Sequence, residues 1–170
     1  IQSKMSGHRI GEFQLTNQYG ESITEAYFQD KIYVVFFFFT TCQGICPKMT
    51  KQMYRVQEAN IDQKDFRILS HTVQPEIDSV DVLLAYADQY DANPEIWQFA
   101  TGDRMEIFNL ARKSYFAATL EDGREEEMVH TENFVLIDKE KRIRGVYDGT
   151  STEEVDQLIE DIEWLRNSYE

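Results

Sequence analysis

The stretch that decides the fold is Ile32-Tyr-Val-Val-Phe-Phe-Phe-Phe39, followed by Thr40-Thr-Cys42-Gln-Gly-Ile-Cys46-Pro47. The first eight residues are β-branched or aromatic and do not alternate with polar residues, which is typical of a central strand covered on both faces. A loop that carries both cysteines follows this strand. Pro47 suits the first position of a helix, because its missing N–H needs no partner there. We therefore expect a helix from Pro47 to about Ala59.

Patterns on either side of this stretch predict the rest of an α/β domain. Apolar alternation indicates hairpins and strands, and apolar residues at helical spacing indicate helices. The predicted elements are, in chain order, hairpin Glu12–Thr24, strand Phe66–Val73, helix Val80–Tyr90, strand Trp97–Ala100, helix Asp103–Ser114, hairpin Asn133–Tyr147 and helix Thr152–Asn167. This order matches a thioredoxin-like fold, in which helices flank a central mixed sheet and a β-hairpin stands at the N-terminus.

The charge of the chain excludes one class of partner. It has 17 basic and 31 acidic side chains, for a net charge of −14. This charge repels a phosphate backbone, and no nucleic-acid-binding motif offsets it. We therefore expect no nucleic acid as a partner. An acidic surface either steers a basic protein partner or keeps the protein soluble, and the sequence leaves both readings open.

Length and apolar patterning predict one domain. We expect residues 1–10 to be a flexible N-terminal segment and residues 11–170 to be a single domain. The longest apolar run, Ile32–Phe39, has eight residues, whereas a membrane helix needs about twenty. Because the chain starts with Ile1 instead of Met, we also expect that a preceding segment has been removed.

Cys42 and Cys46 are the only cysteines, and their spacing carries the chemistry. The helix dipole and free N–H groups at the start of the helix predict a stabilised Cys46 thiolate. Gly44 lets the loop bring the two sulfurs together, for either a disulfide or shared coordination of a soft metal such as Cu(I), Zn(II) or an iron–sulfur cluster. A purely structural disulfide is the less favoured reading, because closing so short a loop stabilises a domain by only about 2 kcal/mol.

Two sulfurs rarely complete a metal site, and the chain has three histidines that could supply a third ligand. His8 lies in the N-terminal segment and has the pattern of an incidental exposed residue. His71 lies within a strand pattern beside Leu69 and Val73, which is typical of a core histidine. His130 lies just before the strand that begins at Asn133. The residues alone do not choose among them.

Five stretches match the motifs of one known family. They are Gly11–Gly20 as its opening hairpin, Phe36–Pro47 as its Cys-x-x-x-Cys-Pro motif, Val73–Asp78 as its Asp-Pro-x-x-Asp stretch, Ala85–Gly102 as its next segment and Val129–Asp138 as its histidine motif. From about residue 11 to residue 165 the chain resembles the SCO/SenC family of copper-binding, thioredoxin-fold proteins. The resemblance implies that Cys42, Cys46 and His130 bind copper as Cu(I), Cu(II) or both.

The sequence departs from the family pattern at two positions. Gln43 stands where a proline often follows the first cysteine, and Gln74 replaces the first Asp of the Asp-Pro-x-x-Asp stretch, whereas Asp78 keeps the second. In the family this pair supports the site without binding the metal, so the change at Gln74 bears on metal affinity. The acidic residues 121–127 are either a solvated loop or a surface for docking or metal entry.

The resemblance implies a copper metallochaperone and not a turnover enzyme. Its acceptor would be the dinuclear copper centre of cytochrome c oxidase subunit II, or another copper or thiol protein. The alternative is a thiol–disulfide oxidoreductase or redox sensor that uses Cys42 and Cys46 as its redox pair and reduces the cysteines of the acceptor. Against an ordinary thioredoxin, no proline directly precedes the strand after His130. A peroxiredoxin is strongly disfavoured, because neither cysteine follows that family's Pro-x-x-x-Thr-x-x pattern.

The resemblance also implies a location. Members of the family are usually tethered by a transmembrane helix or a lipid and face the bacterial periplasm or the mitochondrial intermembrane space. We therefore expect an extracytoplasmic, membrane-anchored protein in its full-length form, and a monomer.

Overall fold

The computed structural model describes residues 8–115 and 132–170. These residues form a two-stranded antiparallel sheet, a five-stranded mixed sheet and helices on both faces of the larger sheet. The strands are β1 (Gln14–Thr16), β2 (Ser22–Thr24), β3 (Ile32–Phe38), β4 (Phe66–Thr72), β5 (Trp97–Ala100), β6 (Asn133–Ile137) and β7 (Ile143–Asp148). The α-helices are α1 (Ile45–Ala59), α2 (Val80–Gln89), α3 (Arg104–Asn109) and α4 (Thr152–Asn167). The predicted architecture is confirmed.

Strand β3 is the centre of the five-stranded sheet, whose order is β5-β4-β3-β6-β7. All seven residues of β3 are buried, as expected of a strand covered on both faces. It pairs in parallel with β4 and antiparallel with β6, where Val35 lies opposite Val135. Because β6 runs antiparallel to β3, it begins at the edge of the sheet where β3 ends.

The two faces of β3 contribute to separate apolar layers. Phe36 and Phe38 point to the layer that packs against α1, α2 and α4, and this layer contains Cys46. Phe37 points to the other layer, which packs against the N-terminal hairpin and α3. Alternate residues of a strand face opposite sides of a sheet, so one sequence run of aromatics supplies both layers.

Two predicted helices differ from the observed ones by more than one residue. Helix α1 begins at Ile45 and not at Pro47, so Cys46 lies within its first turn. The missing N–H of Pro47 remains harmless there, because the first four N–H groups of a helix lack helical acceptors. The helix predicted over Asp103–Ser114 is α-helical only in α3, since Asp103 is its N-cap and Leu110–Ser114 forms a π-helical turn. A short 3-10 helix at Glu25–Phe28 was not predicted.

The N-terminal hairpin turns as the sequence predicts. The side-chain oxygen of Asn17 accepts hydrogen bonds from the backbone N–H groups of Tyr19 and Glu21, and Gly20 has φ +77°, a conformation that favours glycine. Just before the hairpin, Ile10 is buried and donates its N–H to the carbonyl of Lys141. The expected division of the chain between residues 10 and 11 stays a prediction. Among the described residues, no helix combines the length and apolar character needed to cross a bilayer.

Candidate metal centre

The two cysteines meet where β3 ends and α1 begins. Cys42 lies in the connecting loop, residues 39–44, which we call the cysteine loop, and its side chain is partly exposed. Cys46 is the second residue of α1 and is buried, with an exposed fraction of 6%. Both are free thiols, and the two sulfurs lie close enough to affect each other's pKa. The sequence prediction that the loop brings the two sulfurs together is confirmed.

The two thiols have opposite acidities. Burial acts to raise the pKa of Cys42, but the hydrogen bonds that its sulfur accepts from Cys46 and from the backbone N–H groups of Gly44 and Ile45 outweigh it and lower the pKa. Burial raises the pKa of Cys46 to about 12, and its hydrogen bond to Cys42 and the nearby Asp78 carboxylate act in the same direction. The N-terminal end of α1 therefore stabilises a Cys42 thiolate, and the predicted Cys46 thiolate is wrong.

Asp78 anchors the cysteine loop to the interior of the protein. Its carboxylate is fully buried and accepts hydrogen bonds from the backbone N–H of Thr40 at 3.1 Å and from the Thr40 hydroxyl. The hydroxyl of Thr72, the last residue of β4, donates to the same carboxylate at 2.7 Å. A buried carboxylate needs such donors to offset the cost of its desolvation. Asp78 thus joins the cysteine loop to the end of the neighbouring strand.

Gln74 lies beside the same loop. Its side-chain oxygen is 3.4 Å from the hydroxyl of Thr41, and its backbone carbonyl accepts the N–H of Asp78 at 2.9 Å. The residue that departs from the family pattern therefore contacts both the cysteine loop and the backbone of the anchoring aspartate. Gln43, the other departure, is exposed in the loop.

A third set of polar contacts supports Cys46 from within α1. The Thr50 hydroxyl donates to the carbonyl of Cys46 at 2.8 Å and lies 2.9 Å from the hydroxyl of Tyr86. The Tyr86 ring stacks on Phe38 with 5.1 Å between ring centres. The sequence analysis did not identify Thr40, Thr50, Thr72 or Tyr86 as supporting residues. Of these four, Thr50 could most easily have been predicted from the sequence, because it lies one helical turn after Cys46 and a threonine hydroxyl can bond the carbonyl four residues earlier in a helix.

His71 does not join the cysteines. Its ring is fully buried and stacks on Phe37, with 4.4 Å between ring centres and 5.5 Å to the ring of Tyr115. These residues belong to the apolar layer on the opposite face of the sheet from Cys46. Burial lowers the pKa of His71 to about 4, although the hydrogen bond to the Phe36 carbonyl acts to raise it. The prediction of a core histidine is confirmed.

Of the other two histidines, His8 lies among the described residues and His130 does not. His8 is half-buried, and its Nε2 lies 2.8 Å from the carbonyl of Ser114. His130, the predicted third ligand, and the acidic residues 121–127 lie outside the described residues. Within residues 8–115 and 132–170, no three His, Cys, Asp or Glu side chains form a group that could hold a metal ion.

The donor set that is described fits a soft metal. The two thiols lie close enough to affect each other's pKa, and thiolates select Cu(I), Zn(II) or iron–sulfur clusters over hard cations. The partly exposed Cys42 gives such an ion a route from solvent, whereas Cys46 is backed by the apolar layer.

Comparison with known proteins identifies the family of the chain. The family model for SCO1/SenC matches residues 2–167. The chain belongs to the SCO1/SenC family. This confirms the resemblance on which the sequence analysis relied.

Solved structures of relatives agree in fold. The SCO1/SenC family lipoprotein of Bacillus anthracis has a TM-score of 0.84 and 26% identity to this chain, covering 98% of this chain and 99% of its own. BsSco has a TM-score of 0.81 and 28% identity, and the match covers 97% of this chain and 96% of BsSco. It is described with a disulfide switch as a member of the Sco family of cytochrome c oxidase assembly proteins. Yeast Sco1, solved with copper bound, has a TM-score of 0.69 and 25% identity, and the match covers 92% of this chain and 89% of yeast Sco1.

Proposed function

We propose that this protein is a copper-binding metallochaperone of cytochrome c oxidase assembly. Its ligands would be the thiolates of Cys42 and Cys46 and the imidazole of His130, and its cargo would go to the dinuclear copper centre of subunit II. The observation that carries the proposal is the contact between two free thiols at the end of β3 in a chain of the SCO1/SenC family. The copper-bound structure of yeast Sco1 supports copper as the metal.

The topology of the sheet supports His130 as the third ligand. Strand β6 begins at Asn133, at the edge of the sheet where β3 ends and leads to Cys42. His130 precedes Asn133 by three positions in the sequence, and three residues of chain span at most about 10 Å. An imidazole supplied from this side would complete a three-donor site of two sulfurs and one nitrogen, a set that holds Cu(I) and, with an added ligand, accepts Cu(II).

The difference between the two thiols supports a carrier. The Cys42 sulfur is partly exposed and ionises more readily, so it is the donor that an incoming metal meets first and that an acceptor can displace. Cys46 is buried and must lose its proton when it binds metal, which couples tight binding to proton release. Copper would leave by ligand exchange as acceptor donors replace Cys42 and then Cys46.

The test is an anaerobic titration of the fully reduced protein with Cu(I) against a competing chelator, beside the variants Cys42→Ser and His130→Ala. We expect one tight copper per chain and weaker binding in both variants. The matched control is His71→Phe, because His71 lies on the other face of the sheet and its loss should leave copper affinity unchanged. Binding that is indifferent to His130 would remove it from the ligand set, and no competitive binding would overturn the metallochaperone.

A specific observation favours a second function. The lowered pKa of Cys42 beside a buried Cys46 thiol is the arrangement of a nucleophilic and a resolving cysteine in thiol–disulfide exchange, and the relative BsSco is described with a disulfide switch. On this account the reduced pair would reduce a disulfide of the acceptor and become a Cys42–Cys46 disulfide. The reduction potential of the pair, measured against glutathione, tests it.

We propose an extracytoplasmic, membrane-anchored location for the full-length protein, supported by the relative in Bacillus anthracis that is described as a lipoprotein. Fractionation of cells that express the full-length protein tests this, with the expectation that it sediments with membranes and is accessible to protease from outside the cytoplasm. We also propose that the domain is a monomer, which sedimentation of the purified protein tests.

A further inference from the structure

Helix α1 presents two lysines to solvent next to the cysteine loop. Lys48 and Lys51 are exposed and are separated by three positions, so they are neighbours on the helix surface. Ile45, the first residue of α1, is the same distance before Lys48 and is also exposed. The side chains of these residues therefore form a continuous surface that starts at the cysteine loop.

This part of the surface differs in charge from the rest of the protein. The chain has 31 acidic residues, yet none lies between residues 31 and 57. The third basic residue of α1, Arg55, forms an ion pair with Asp156 of α4. Among the described residues, no carboxylate pairs with Lys48 or Lys51. Within residues 8–115 and 132–170, the two lysines thus form a basic patch without a carboxylate partner, on a protein of net charge −14.

Two exposed isoleucines border the cysteine loop. Ile45 is 40% exposed and Ile77 is 54% exposed. Ile45 directly follows the cysteine loop and begins α1, and Ile77 immediately precedes Asp78, which binds the loop through Thr40. Large apolar side chains left in water beside a reactive group are typical of the centre of a docking surface, with charges at its rim.

We propose that Ile45, Ile77, Lys48 and Lys51 form a docking surface for an acidic protein partner. This inference rests on the proposed function, because the partner is the protein that exchanges copper or electrons with the cysteine pair, and it adds the charge of that partner. Carboxylates of the partner meet Lys48 and Lys51, an apolar patch of the partner covers the isoleucines, and its thiol or imidazole donors are brought to Cys42.

The net charge of the whole protein does not contradict an acidic partner. At an ionic strength of about 0.1 M, charges more than about 10 Å away are largely screened. Acidic residues that lie farther away than this therefore contribute little once the partner is close to α1, and the charges of Lys48 and Lys51 determine the local attraction. An acidic partner is accepted at this surface and repelled at others, which favours a single docking orientation.

The experiment uses two synthetic acceptor peptides with the same Cys-x-x-x-Cys core, one with glutamate flanks and one with lysine flanks. The rate of Cu(I) transfer from the loaded protein to each peptide is measured at an ionic strength of about 0.1 M. The readout is the ratio of the two rates, compared between protein variants. Intrinsic differences between the peptides cancel in that comparison.

The test variant is Lys48→Glu/Lys51→Glu, and the matched control is Lys31→Glu/Lys64→Glu. Both change the net charge by the same amount, but Lys31 lies one residue before β3 and Lys64 two residues before β4, at the end of the sheet opposite the cysteine loop. We expect the test variant to lower the ratio of glutamate-peptide to lysine-peptide rates by about tenfold. The control should lower it by less than about twofold. Lys48→Gln/Lys51→Gln should have an intermediate effect.

An equal change of the rate ratio in both double variants would show that only total charge matters and would overturn the docking surface. An unchanged rate ratio in both variants would also overturn it. A separate copper titration of each variant decides the proposed function. If the protein binds no copper, the same peptides in their disulfide form replace the copper transfer. The reduced cysteine pair then passes two electrons to the peptide disulfide and becomes oxidised, and the same ratio of rates tests the docking surface independently of copper.

Discussion

The carboxylate of Asp78 accepts hydrogen bonds from both the backbone N–H and the hydroxyl of Thr40, which stands two residues before Cys42. Asp78 lies just before α2 and is fully buried, so its position is set by the packed interior. This pair of contacts ties the exposed cysteine loop to the rigid part of the domain. We expect the geometry of the two thiols to depend on it.

Replacement of Asp78 by Asn should weaken copper binding as well as stability. The amide replaces one acceptor oxygen with a donor, which leaves a buried N–H or hydroxyl of Thr40 or Thr72 without an acceptor and costs about 1–3 kcal/mol. Loss of a residue that orients metal ligands typically lowers metal affinity by about 10- to 100-fold. Chelator competition measures the affinity, and urea unfolding measures the stability.

Asp161→Asn is the matched control for that experiment. Asp161 is also a buried carboxylate, and it accepts hydrogen bonds from Tyr147 and Gln157 on the α4 side of the sheet. Its replacement should lower stability but leave copper affinity unchanged. If Asp161→Asn lowered the affinity as much as Asp78→Asn, the effect of Asp78 would be only a loss of overall stability.

Alkylation at neutral pH should modify Cys42 before Cys46. The hydrogen bonds at the Cys42 sulfur outweigh its burial and lower its pKa, and the pKa of Cys46 is raised to about 12. Because the thiolate is the nucleophile, we expect iodoacetamide to react at least about tenfold faster with Cys46→Ser, which retains Cys42, than with Cys42→Ser. Mass spectrometry of timed samples measures the rates. Faster modification of Cys46 would contradict the assignment of the thiolate.

Oxidation should abolish copper binding reversibly. A Cys42–Cys46 disulfide has no thiolate to offer, and both thiols must lose their protons to bind metal. The protein treated with a mild oxidant should therefore show no competitive Cu(I) binding, and a reductant should restore it. The variant Cys46→Ser cannot form this disulfide, so its residual affinity should not respond to the oxidant under the same short exposure.

His71 should make the protein less stable in acid. Its pKa is lowered to about 4 in the folded protein, whereas a histidine in the unfolded chain has a pKa of about 6.5. Between these values the unfolded chain binds a proton that the folded protein does not, so falling pH favours unfolding. Between pH 6.5 and pH 4, His71 therefore lowers the free energy of unfolding by about 3 kcal/mol in total.

The variant His71→Phe tests this dependence. A phenyl ring can keep the stack between Phe37 and Tyr115 but takes up no proton. We expect its melting temperature to change less than that of the wild type when the pH falls from 6.5 to 4. Parallel melting curves for both proteins would argue against His71 as the source of the acid sensitivity.

The main elements of the fold were predictable because their signals are local. The run Ile32–Phe38 has no polar alternation, and it forms the buried central strand. Helix α4 was predicted with its observed bounds, since Ser151 caps it and its apolar residues repeat at helical spacing. The start of α1 was missed because Ile45 and Cys46 look like loop residues. Only the packing of Cys46 against the apolar layer shows that the helix has already begun.

The sequence by itself determined the α/β architecture, the pairing of Cys42 with Cys46 and the core position of His71, because each follows from spacing along one strand or one turn. Only the tertiary structure decided which cysteine carries the thiolate, because burial of Cys46 and the N–H groups around Cys42 depend on how α1 packs on the sheet. The tertiary structure also decided that Asp78 accepts hydrogen bonds from Thr40. These two residues are 38 positions apart, and no local pattern in a single sequence records a contact between residues that far apart.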